Sequence, residues 1–302
     1  MQPITEPPAT RRGLVDRMAI VLLVGIVAVS VGGVTLLTLY LDRVGDTAAG
    51  LQKVAPLASY EGRPGPVTVD GVEAINYLLM TTGADGSLES VLVAHLSASR
   101  RNLTLIALPP DLLATDGSGT LAVSYRVDPL RTAREVEALT GSRMDHQLHL
   151  DADLFATVVD TLGGLELPQG HLTGSQVADF LSGDPRGRSE RTADLLRAAL
   201  ARASMSSALT DPARFDKVMK ALVPCLTVDS GLTTDVIRNT LMESRVQAGE
   251  IVSWPLASTG STGGAVADPT DLARLRAAFA GDTLPPASTM NQAPMPSPSA
   301  SR

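Results

Sequence analysis

Two arginines three residues apart are the clearest candidates for chemistry in this sequence. Arg188 and Arg191 stand at the start of an amphipathic pattern that predicts a helix over residues 189–203. Side chains three positions apart share a helix face, so the two guanidinium groups can make paired, charge-assisted hydrogen bonds to the oxygens of a diphosphate. The alternative interpretation is an ordinary helix start whose arginines are solvated.

The elements that must position these arginines include a strand, a helix and a second strand in close order. Alternation of apolar and polar residues predicts the first strand at residues 146–150. Asp151 or Asp153 then caps a helix whose apolar residues recur at helical spacing. Gly163 ends this helix, because glycine readily adopts the left-handed conformation of helix ends, and a strand resumes at residues 165–167.

The rest of the chain alternates strand and helix patterns. Apolar runs predict the strands, and amphipathic patterns bounded by proline and glycine predict the helices. This interleaving implies an α/β fold of three layers, α-β-α, with one central mixed sheet. The predicted strands lie at residues 74–80, 91–96, 103–108 and 250–256, and the predicted helices at residues 129–139, 173–180, 212–222, 234–244 and 269–280.

Residues 18–41 form a run of 24 residues without a charged side chain. A helix of this length reaches ~36 Å and can cross a ~30 Å hydrocarbon core. A cleaved signal peptide is the alternative, but the run is longer than the apolar part of a usual signal sequence. Arg11, Arg12 and Arg17 precede the run. The positive-inside rule therefore predicts a single-pass plasma-membrane protein with a cytoplasmic N-terminus and an extracellular C-terminal domain.

These boundaries divide the chain into five segments. Mixed Gly and Pro before the first long strand indicates a linker, and the Pro and Ser content at the end is typical of disorder. Cys225 is the single cysteine, which excludes an intrachain disulfide. The segments are a cytoplasmic N-terminus at residues 1–17, a transmembrane helix at 18–41, a juxtamembrane linker at 42–66, an exterior domain at 67–282 and a disordered tail at 283–302.

Several motifs resemble those of the LytR-CpsA-Psr family of cell-envelope proteins. Residues 159–165, Val-Asp-Thr-Leu-Gly-Gly-Leu, are similar to the family's Val-Asp-x-Leu-Gly-Gly-Val. Residues 171–178, His-Leu-Thr-Gly-Ser-Gln-Val-Ala, look like its His-Leu-Asp-Gly-x-Gln-Ala-Leu, and residues 188–192, Arg-Ser-Glu-Arg-Thr, look like its Arg-x-x-Arg-Gln. The resemblance covers about residues 74–256. It implies the family's fold and its activity, which is transfer of a glycopolymer from a polyprenyl pyrophosphate carrier to peptidoglycan or another envelope acceptor.

The chain departs from the family pattern in its first half. Gly83 stands where the family has an acid associated with Mg²⁺, and Ser87 and Pro110 stand where it has arginines. Glu89 and Asp111 remain as the acids to which the resemblance assigns catalysis and a Mg²⁺ site, since carboxylates suit a hard divalent cation. Loss of one phosphate-stabilising cation can lower the rate of phosphoryl transfer ~10³-fold, so these departures leave two roles to consider, a catalytic one and a non-catalytic one.

Two functions follow from this resemblance. The first is a phosphotransferase-type protein that binds polyprenyl-pyrophosphate-linked glycopolymer and attaches it to the cell wall, with Arg188 and Arg191 holding phosphate and Mg²⁺ as cofactor. The second is a non-catalytic prenyl-phosphate-binding protein, or an accessory protein of an active relative. Some apolar residues either line a tunnel for the prenyl chain or simply pack in the core. These residues are Leu154, Val158, Phe180 and Leu195.

Composition and spacing argue against other classes of function. A net charge of −7 at pH 7 and an aromatic content of 3% do not suit nucleic-acid binding by phosphate contacts or base stacking. Gene regulation is a third interpretation, but it would leave only residues 1–17 on the DNA side of the membrane. His146 and His149 fall on opposite faces of a strand and cannot share a metal ion. Arg100 and Arg101 are expected at a solvated hairpin tip.

Overall fold

The computed structural model describes residues 50–83, 85–205, 212–246 and 248–284. The predicted cytoplasmic N-terminus, the predicted transmembrane helix and most of the predicted tail lie outside these ranges. Within them, no helix combines the length and the apolar character needed to cross a membrane. The span predicted at residues 18–41 therefore stays a prediction.

Strands and helices alternate along the described chain. The strands are β1 (Gln52–Val54), β2 (Thr68–Val69), β3 (Val72–Glu73), β4 (Ile75–Thr82), β5 (Leu88–Leu96), β6 (Leu103–Leu108), β7 (His146–Asp151), β8 (Leu165–Leu167), β9 (Gly170–Leu172), β10 (Leu226–Asp229), β11 (Ile251–Pro255), β12 (Ser258–Ser261) and β13 (Gly264–Ala267). The α-helices are α1 (Leu121–Val127), α2 (Pro129–Thr140), α3 (Ala152–Thr161), α4 (Val177–Leu181), α5 (Arg188–Met205), α6 (Pro212–Leu222), α7 (Thr234–Glu243) and α8 (Pro269–Ala280).

The central sheet has the strand order β1-β10-β7-β4-β5-β6-β11. β4 pairs in parallel with β7 and antiparallel with β5, and β6 pairs antiparallel with β5 and in parallel with β11. The sheet is therefore mixed, which confirms the α/β class predicted from the interleaved sequence pattern. The hairpins β2-β3, β8-β9 and β12-β13 lie outside this sheet.

Side chains that alternate along the strands build a core on each face of the sheet. On β4, Tyr77 and Leu79 belong to one core, and Leu78 and Met80 belong to the other. The first core includes residues of α3, α5, α6 and α7, and the second includes residues of α1, α2 and α8. Helices therefore cover both faces, and the three layers are those that the sequence predicts.

The sequence patterns locate the long elements and miss several short ones. Of the two candidate caps for α3, Asp151 is the one that accepts hydrogen bonds from the amides of Asp153 and Leu154. The sequence does not predict β10, although this strand lies between β1 and β7 in the sheet. It also does not predict α1, whose seven residues span only about two helical turns, or the β12-β13 hairpin, whose strands STGS and GAVA consist mostly of small residues.

The folded domain begins before the predicted boundary at residue 67. β1 pairs in parallel with β10, so part of the segment predicted as a linker is an edge strand of the sheet. Further along, Tyr60 Oη donates to Glu137 Oε2 at 2.6 Å, and Arg63 Nη2 pairs with Glu137 Oε1 at 2.9 Å. Side chains thus fix the Gly- and Pro-containing backbone to α2, and the described part of the segment is not a free linker.

The tip between β5 and β6 corrects another prediction. Arg101 is exposed as expected, but Arg100 is only 9% exposed. Arg100 Nη1 donates to the carbonyl oxygen of Glu73 at 2.8 Å, and its Nε faces Glu243 Oε2 at 3.4 Å. Residues distant in sequence bury this side chain, so the local hairpin pattern does not reveal it.

Candidate functional site

The candidate site lies at one edge of the central sheet, an edge formed by the ends of strands and not by the side of an edge strand. β4 and β6 end at this edge, and β5 begins there because it runs antiparallel to both. A cleft of about 430 Å³ opens at this edge, beside the first turn of α5. Its lining includes Glu89, Pro110, Asp111, Asp184, Arg186 and Arg188. The structure thus brings three of the four predicted site residues together, although they lie far apart in the sequence.

Glu89 and Arg188 form an ion pair inside this cleft. Arg188 Nη1 contacts Glu89 Oε1, and the side chains are 23% and 24% exposed. Gly83 provides the room, because a Cβ atom at that position would lie 2.7 Å from Glu89 Oε1. The carboxylate of Glu89 therefore occupies the space that a side chain at residue 83 would fill.

Asp111 forms a second ion pair with Arg186. Arg186 Nε donates to Asp111 Oδ2 at 2.9 Å, while Asp111 Oδ1 is buried without a hydrogen-bond partner in the described part of the chain. The β12-β13 hairpin lies against this pair, and a Cβ atom on Gly260 would overlap the guanidinium of Arg186. The hairpin thereby limits the positions that the Arg186 side chain can take.

The first turn of α5 is fixed to the sheet beside the cleft. Ser189 is fully buried, donates its hydroxyl to the carbonyl oxygen of Leu108 at 2.7 Å and accepts the amide of Val91 at 3.1 Å. Leu108 ends β6 and Val91 lies near the start of β5. These two hydrogen bonds therefore hold Arg188, the residue before Ser189, in register with the strands that lead to the cleft carboxylates.

Arg191 lies apart from this cleft. Its Nη2 donates to the carbonyl oxygens of Leu181 and Asp184, at 3.2 and 2.9 Å. These bonds brace the loop at residues 182–187 that leads into α5. The two guanidinium groups that line the cleft are therefore those of Arg188 and Arg186, and not that of Arg191. The phosphate-binding role of Arg191 stays a prediction.

Arg186 is the site residue that sequence reasoning overlooks. It belongs to the run Pro-Arg-Gly-Arg at residues 185–188 and lies in a loop, so no helical periodicity marks it. An argument from a shared helix face selects Arg191 and passes over Arg186. The available signal is a pair of arginines at a helix start, one just before it and one in its first turn, where free backbone amides favour anions.

A second opening of about 480 Å³ shares Arg186 and Asp184 with the cleft. Glu190 also lines this opening. Burial raises the pKa of the Glu190 carboxyl group, and the neighbouring charge of Asp194 raises it further. Arg186 can therefore be reached from two openings whose linings both contain carboxyl groups.

The carboxylates predicted to hold Mg²⁺ are engaged by arginines in the cleft. Mg²⁺ demands near-octahedral oxygen ligands and is usually held through one or two carboxylates. Glu89 and Asp111 are each engaged by a guanidinium group, and Gly83 has no side chain to contribute. Nowhere in the described ranges do three or more His, Cys, Asp or Glu side chains form a group that could hold a metal ion. The Mg²⁺ cofactor stays a prediction.

The four residues predicted as possible tunnel lining have different environments. Val158 and Leu195 are buried in the core between the sheet and the helices, and Phe180 packs against that core while only partly buried. Leu154 is 43% exposed. Core packing accounts for Val158 and Leu195, and a lining role for any of the four stays a prediction.

His146 and His149 lie on opposite faces of β7, as their spacing predicts. His146 stacks on Tyr77, and its Nδ1 lies 3.2 Å from Asp229 Oδ2. His149 Nδ1 lies 3.2 Å from Tyr125 Oη, and burial lowers the pKa of the His149 imidazole. Each ring thus has its own partners on its own side of the sheet.

Comparison with known proteins identifies the fold. No family model matches the sequence, and no curated protein matches it. Among solved structures, TagV of Bacillus subtilis is similar with a TM-score of 0.55 and 18% identity, over 70% of this chain and 97% of that one. A LytR-Csp2A-Psr enzyme from Actinomyces oris gives 0.57 and 17%, over 76% of this chain and 96% of that one. TagT bound to LI-WTA gives 0.57 and 14%, over 76% of this chain and 99% of that one.

The class that these likenesses define is the LytR-CpsA-Psr fold, and this chain has that fold. The resemblance recognised in the sequence motifs is thereby confirmed at the level of fold. Identities of 14–18% establish architecture and leave activity to be argued from the site, since one fold supports several functions.

Proposed function

We propose that this chain binds a polyprenyl-pyrophosphate-linked glycopolymer at the cell envelope and takes part in its attachment to the cell wall. The observation that carries the proposal is the position of Arg186 and Arg188, which line one cleft of about 430 Å³. Two guanidinium groups on one opening can make bidentate, charge-assisted hydrogen bonds to the two phosphate groups of a diphosphate. The cleft is the proposed diphosphate site.

The fold comparison supports this choice of ligand class. TagT, to which 76% of the present chain is similar, has been seen bound to LI-WTA. The proposal extends a glycopolymer-linked ligand of this kind to the present chain. The acceptor in this proposal is peptidoglycan or another envelope polymer.

The sheet topology supports a cleft that faces the membrane. β1 is parallel to β10, β10 is antiparallel to β7, and β7 is parallel to β4. β1 therefore starts at the sheet edge where β4 ends, which is the edge of the cleft. A transmembrane helix at residues 18–41 would enter the domain from that edge and would keep the cleft toward lipid-linked precursors.

A non-catalytic binding role is favoured over a transferase role by the cations and the acid that the cleft lacks. In a phosphoryl transfer site, cations must be free to offset the charge that develops on the phosphate oxygens. Ser87 and Pro110 line the cleft where the family pattern has arginines, and Gly83 lies beside Glu89 where that pattern has an acid. The proposed role is therefore that of a binding or accessory protein, with the transferase as the second candidate.

Binding of farnesyl pyrophosphate, a short prenyl pyrophosphate, by the full-length chain in detergent tests the proposal. Arg186→Ala with Arg188→Ala should weaken binding more than about tenfold, because charge-assisted bonds to phosphate contribute about 1.5–3 kcal/mol each. Arg197→Ala is the matched control, since Arg197 lies further along α5 and pairs with Asp194. Equal affinity of the double variant and the parent in calorimetry would remove the proposed site.

Two further measurements address role and location. A binding protein should release no product when glycopolymer carrier, acceptor and divalent cation are supplied, whereas turnover equal to that of an active relative would establish the transferase. A reporter fused after Arg302 should be active only outside the cytoplasm. An active cytoplasmic reporter would contradict the envelope location.

A further inference from the structure

The charges that line the cleft conflict with a simple anion site. Among its lining residues are three carboxylates, Glu89, Asp111 and Asp184, and two guanidinium groups, Arg186 and Arg188. An anionic ligand that enters this cleft lies close to these carboxylates. Two of them, Asp111 and Glu89, are already paired with the two guanidinium groups. Like charges in close contact lower affinity, so the ligand gains the contact with Arg188 Nη1 only when the carboxylate of Glu89 moves away from it.

We propose that Glu89 is a built-in competitor that occupies the phosphate position on Arg188 and must be displaced when the diphosphate binds. This inference rests on the proposed function, because it concerns the same site. Glu89 Oε1 contacts Arg188 Nη1, and the pair lies in the cleft with each side chain about one quarter exposed. A carboxylate and a phosphate make the same type of bidentate contact with a guanidinium group, so they compete for it.

The surroundings of Glu89 allow this displacement. Glu89 is the second residue of β5, and its partly exposed carboxylate lies beside the backbone of Gly83, which has no side chain to hold it in place. No protein hydrogen bond other than its contact with Arg188 is recorded for the carboxylate in the described ranges. A partly exposed ion pair is weak, and a diphosphate with several negative charges can replace it. The pair therefore lowers the affinity of the site without closing it.

Glu89→Gln tests the inference, because glutamine keeps the size of the side chain and removes the charge that competes with phosphate. The probe is inorganic pyrophosphate, titrated into the full-length chain in detergent and followed by calorimetry. We expect the Kd to fall about fivefold in Glu89→Gln, which corresponds to the loss of one partly exposed ion pair. In the Arg188→Ala background the same substitution should change the Kd little, because the guanidinium group for which Glu89 competes is absent.

One control and one further variant separate this effect from a change in net charge or in folding. Asp194→Asn removes one negative charge from α5 outside the cleft and should leave the Kd unchanged. Gly83→Ala places a methyl group against Glu89 Oε1, the oxygen that contacts Arg188. Only the end of a flexible side chain has to move, so Gly83→Ala should fold normally and should also tighten pyrophosphate binding.

The possible results distinguish the inference from the proposed function. Tighter binding in Glu89→Gln that disappears in the Arg188→Ala background supports the inference. Unchanged or weaker binding in Glu89→Gln, with Arg188-dependent binding by the parent, overturns the inference and leaves the proposed function intact. Weaker binding would mean that Glu89 helps to hold the ligand or a metal ion. Absence of pyrophosphate binding in both the parent and Glu89→Gln overturns the inference and the proposed site together.

Discussion

Asp160 and Gly174 come from two separate motifs and meet where α3 faces the turn before α4. Asp160 Oδ1 accepts the backbone amide of Gly174 at 2.6 Å. A Cβ atom on Gly174 would overlap both the carbonyl oxygen of Ala156 and the carboxyl group of Asp160. The residues that resemble the LytR-CpsA-Psr family in these two motifs therefore hold the backbone in place, away from the proposed phosphate cleft.

Gly174→Ala should destabilise the chain by about 2–4 kcal/mol, because a backbone carbonyl cannot move aside for the added methyl group. Chemical denaturation measures this change. Gly65→Ala is the matched control, since a Cβ atom there would have nothing within 4 Å. Equal stability of the two variants would contradict the close approach at Gly174.

Asp229 is a buried carboxylate whose charge is held by several donors. Burial alone raises the pKa of this group, but His146 and the amides of Gln147 and Gly231 outweigh burial, so the pKa lies below its ordinary value. Asp229 Oδ2 accepts the Gln147 amide at 2.8 Å, and Oδ1 accepts the Gly231 amide at 2.7 Å. The charged form of Asp229 is therefore more favourable in the folded state than in the unfolded state.

Asp229→Asn should lower the stability by about 1–3 kcal/mol at pH 7, the cost of weakening a charged, buried hydrogen-bond acceptor. A depressed folded-state pKa contributes stability above the unfolded-state pKa of about 3.9, and this contribution is lost as the pH falls further. The difference between parent and variant should therefore shrink below about pH 4. Denaturation at several pH values measures it, and a difference that grows in acid would contradict the assignment.

At the scale of elements, α5 links the cleft to the first of the two cores of the domain. Its first turn carries Arg188 and is fixed to β5 and β6 by Ser189. Further along the helix, Leu195 and Leu196 are buried in the core that α3 and α6 share. Arg188 therefore lies on a helix that packs in the core, and the buried hydroxyl group of Ser189 helps to fix its position.

Ser189→Ala should destabilise the chain by about 2–3 kcal/mol, since it leaves the amide of Val91 and the carbonyl oxygen of Leu108 buried without this partner. The loosened helix start should also weaken pyrophosphate binding. Ser175→Ala, which removes an exposed hydroxyl group bonded to Thr173, is the control for the hydroxyl loss itself. Unfolding curves and calorimetry report the two effects, and a variant as stable as the control would exclude the anchoring role of Ser189.

At the scale of the whole molecule, the end of the described chain is locked back onto the sheet. Asp282 Oδ1 lies 2.8 Å from Nε2 of His95, a buried residue of β5, and Asp282 Oδ2 accepts the amide of Ala98 at 3.0 Å. His95 Nδ1 in turn faces Asn76 Oδ1 on β4 at 2.7 Å. The segment after α8 thus completes a polar network that runs from Asn76 on β4 through His95 on β5 to Asp282.

Asp282→Asn should destabilise the folded chain by about 1.5–3 kcal/mol, because it weakens the acceptor of the hydrogen bonds to His95 and to the amide of Ala98. Thermal unfolding measures the loss. Asp116→Asn, a substitution in an exposed loop where the carboxylate bonds only locally to Ser118, is the control. A melting temperature equal to that of the control would show that the C-terminal contact does not hold the domain together.

The sequence by itself determined the features that depend on near neighbours in the chain. Helical and strand periodicity located the long elements, and the choice of cap for α3 was already narrowed to Asp151 or Asp153. The alternation of strands and helices determined the α/β class, because each element must bury its own apolar face. The apolar run at residues 18–41 is also a feature of near neighbours in the chain, and the membrane span that it indicates stays a prediction.

Only the tertiary structure decided which side chains meet at the cleft. Helix spacing predicts Arg191 as the partner of Arg188, yet Arg191 bonds to loop carbonyls and Arg186 lines the cleft instead. The pairing of Glu89 with Arg188 requires β5 and α5 to meet at one sheet edge. Sheet order and helix packing place such residues together over long sequence separations, and periodicity within one element carries no information about which other element will lie beside it.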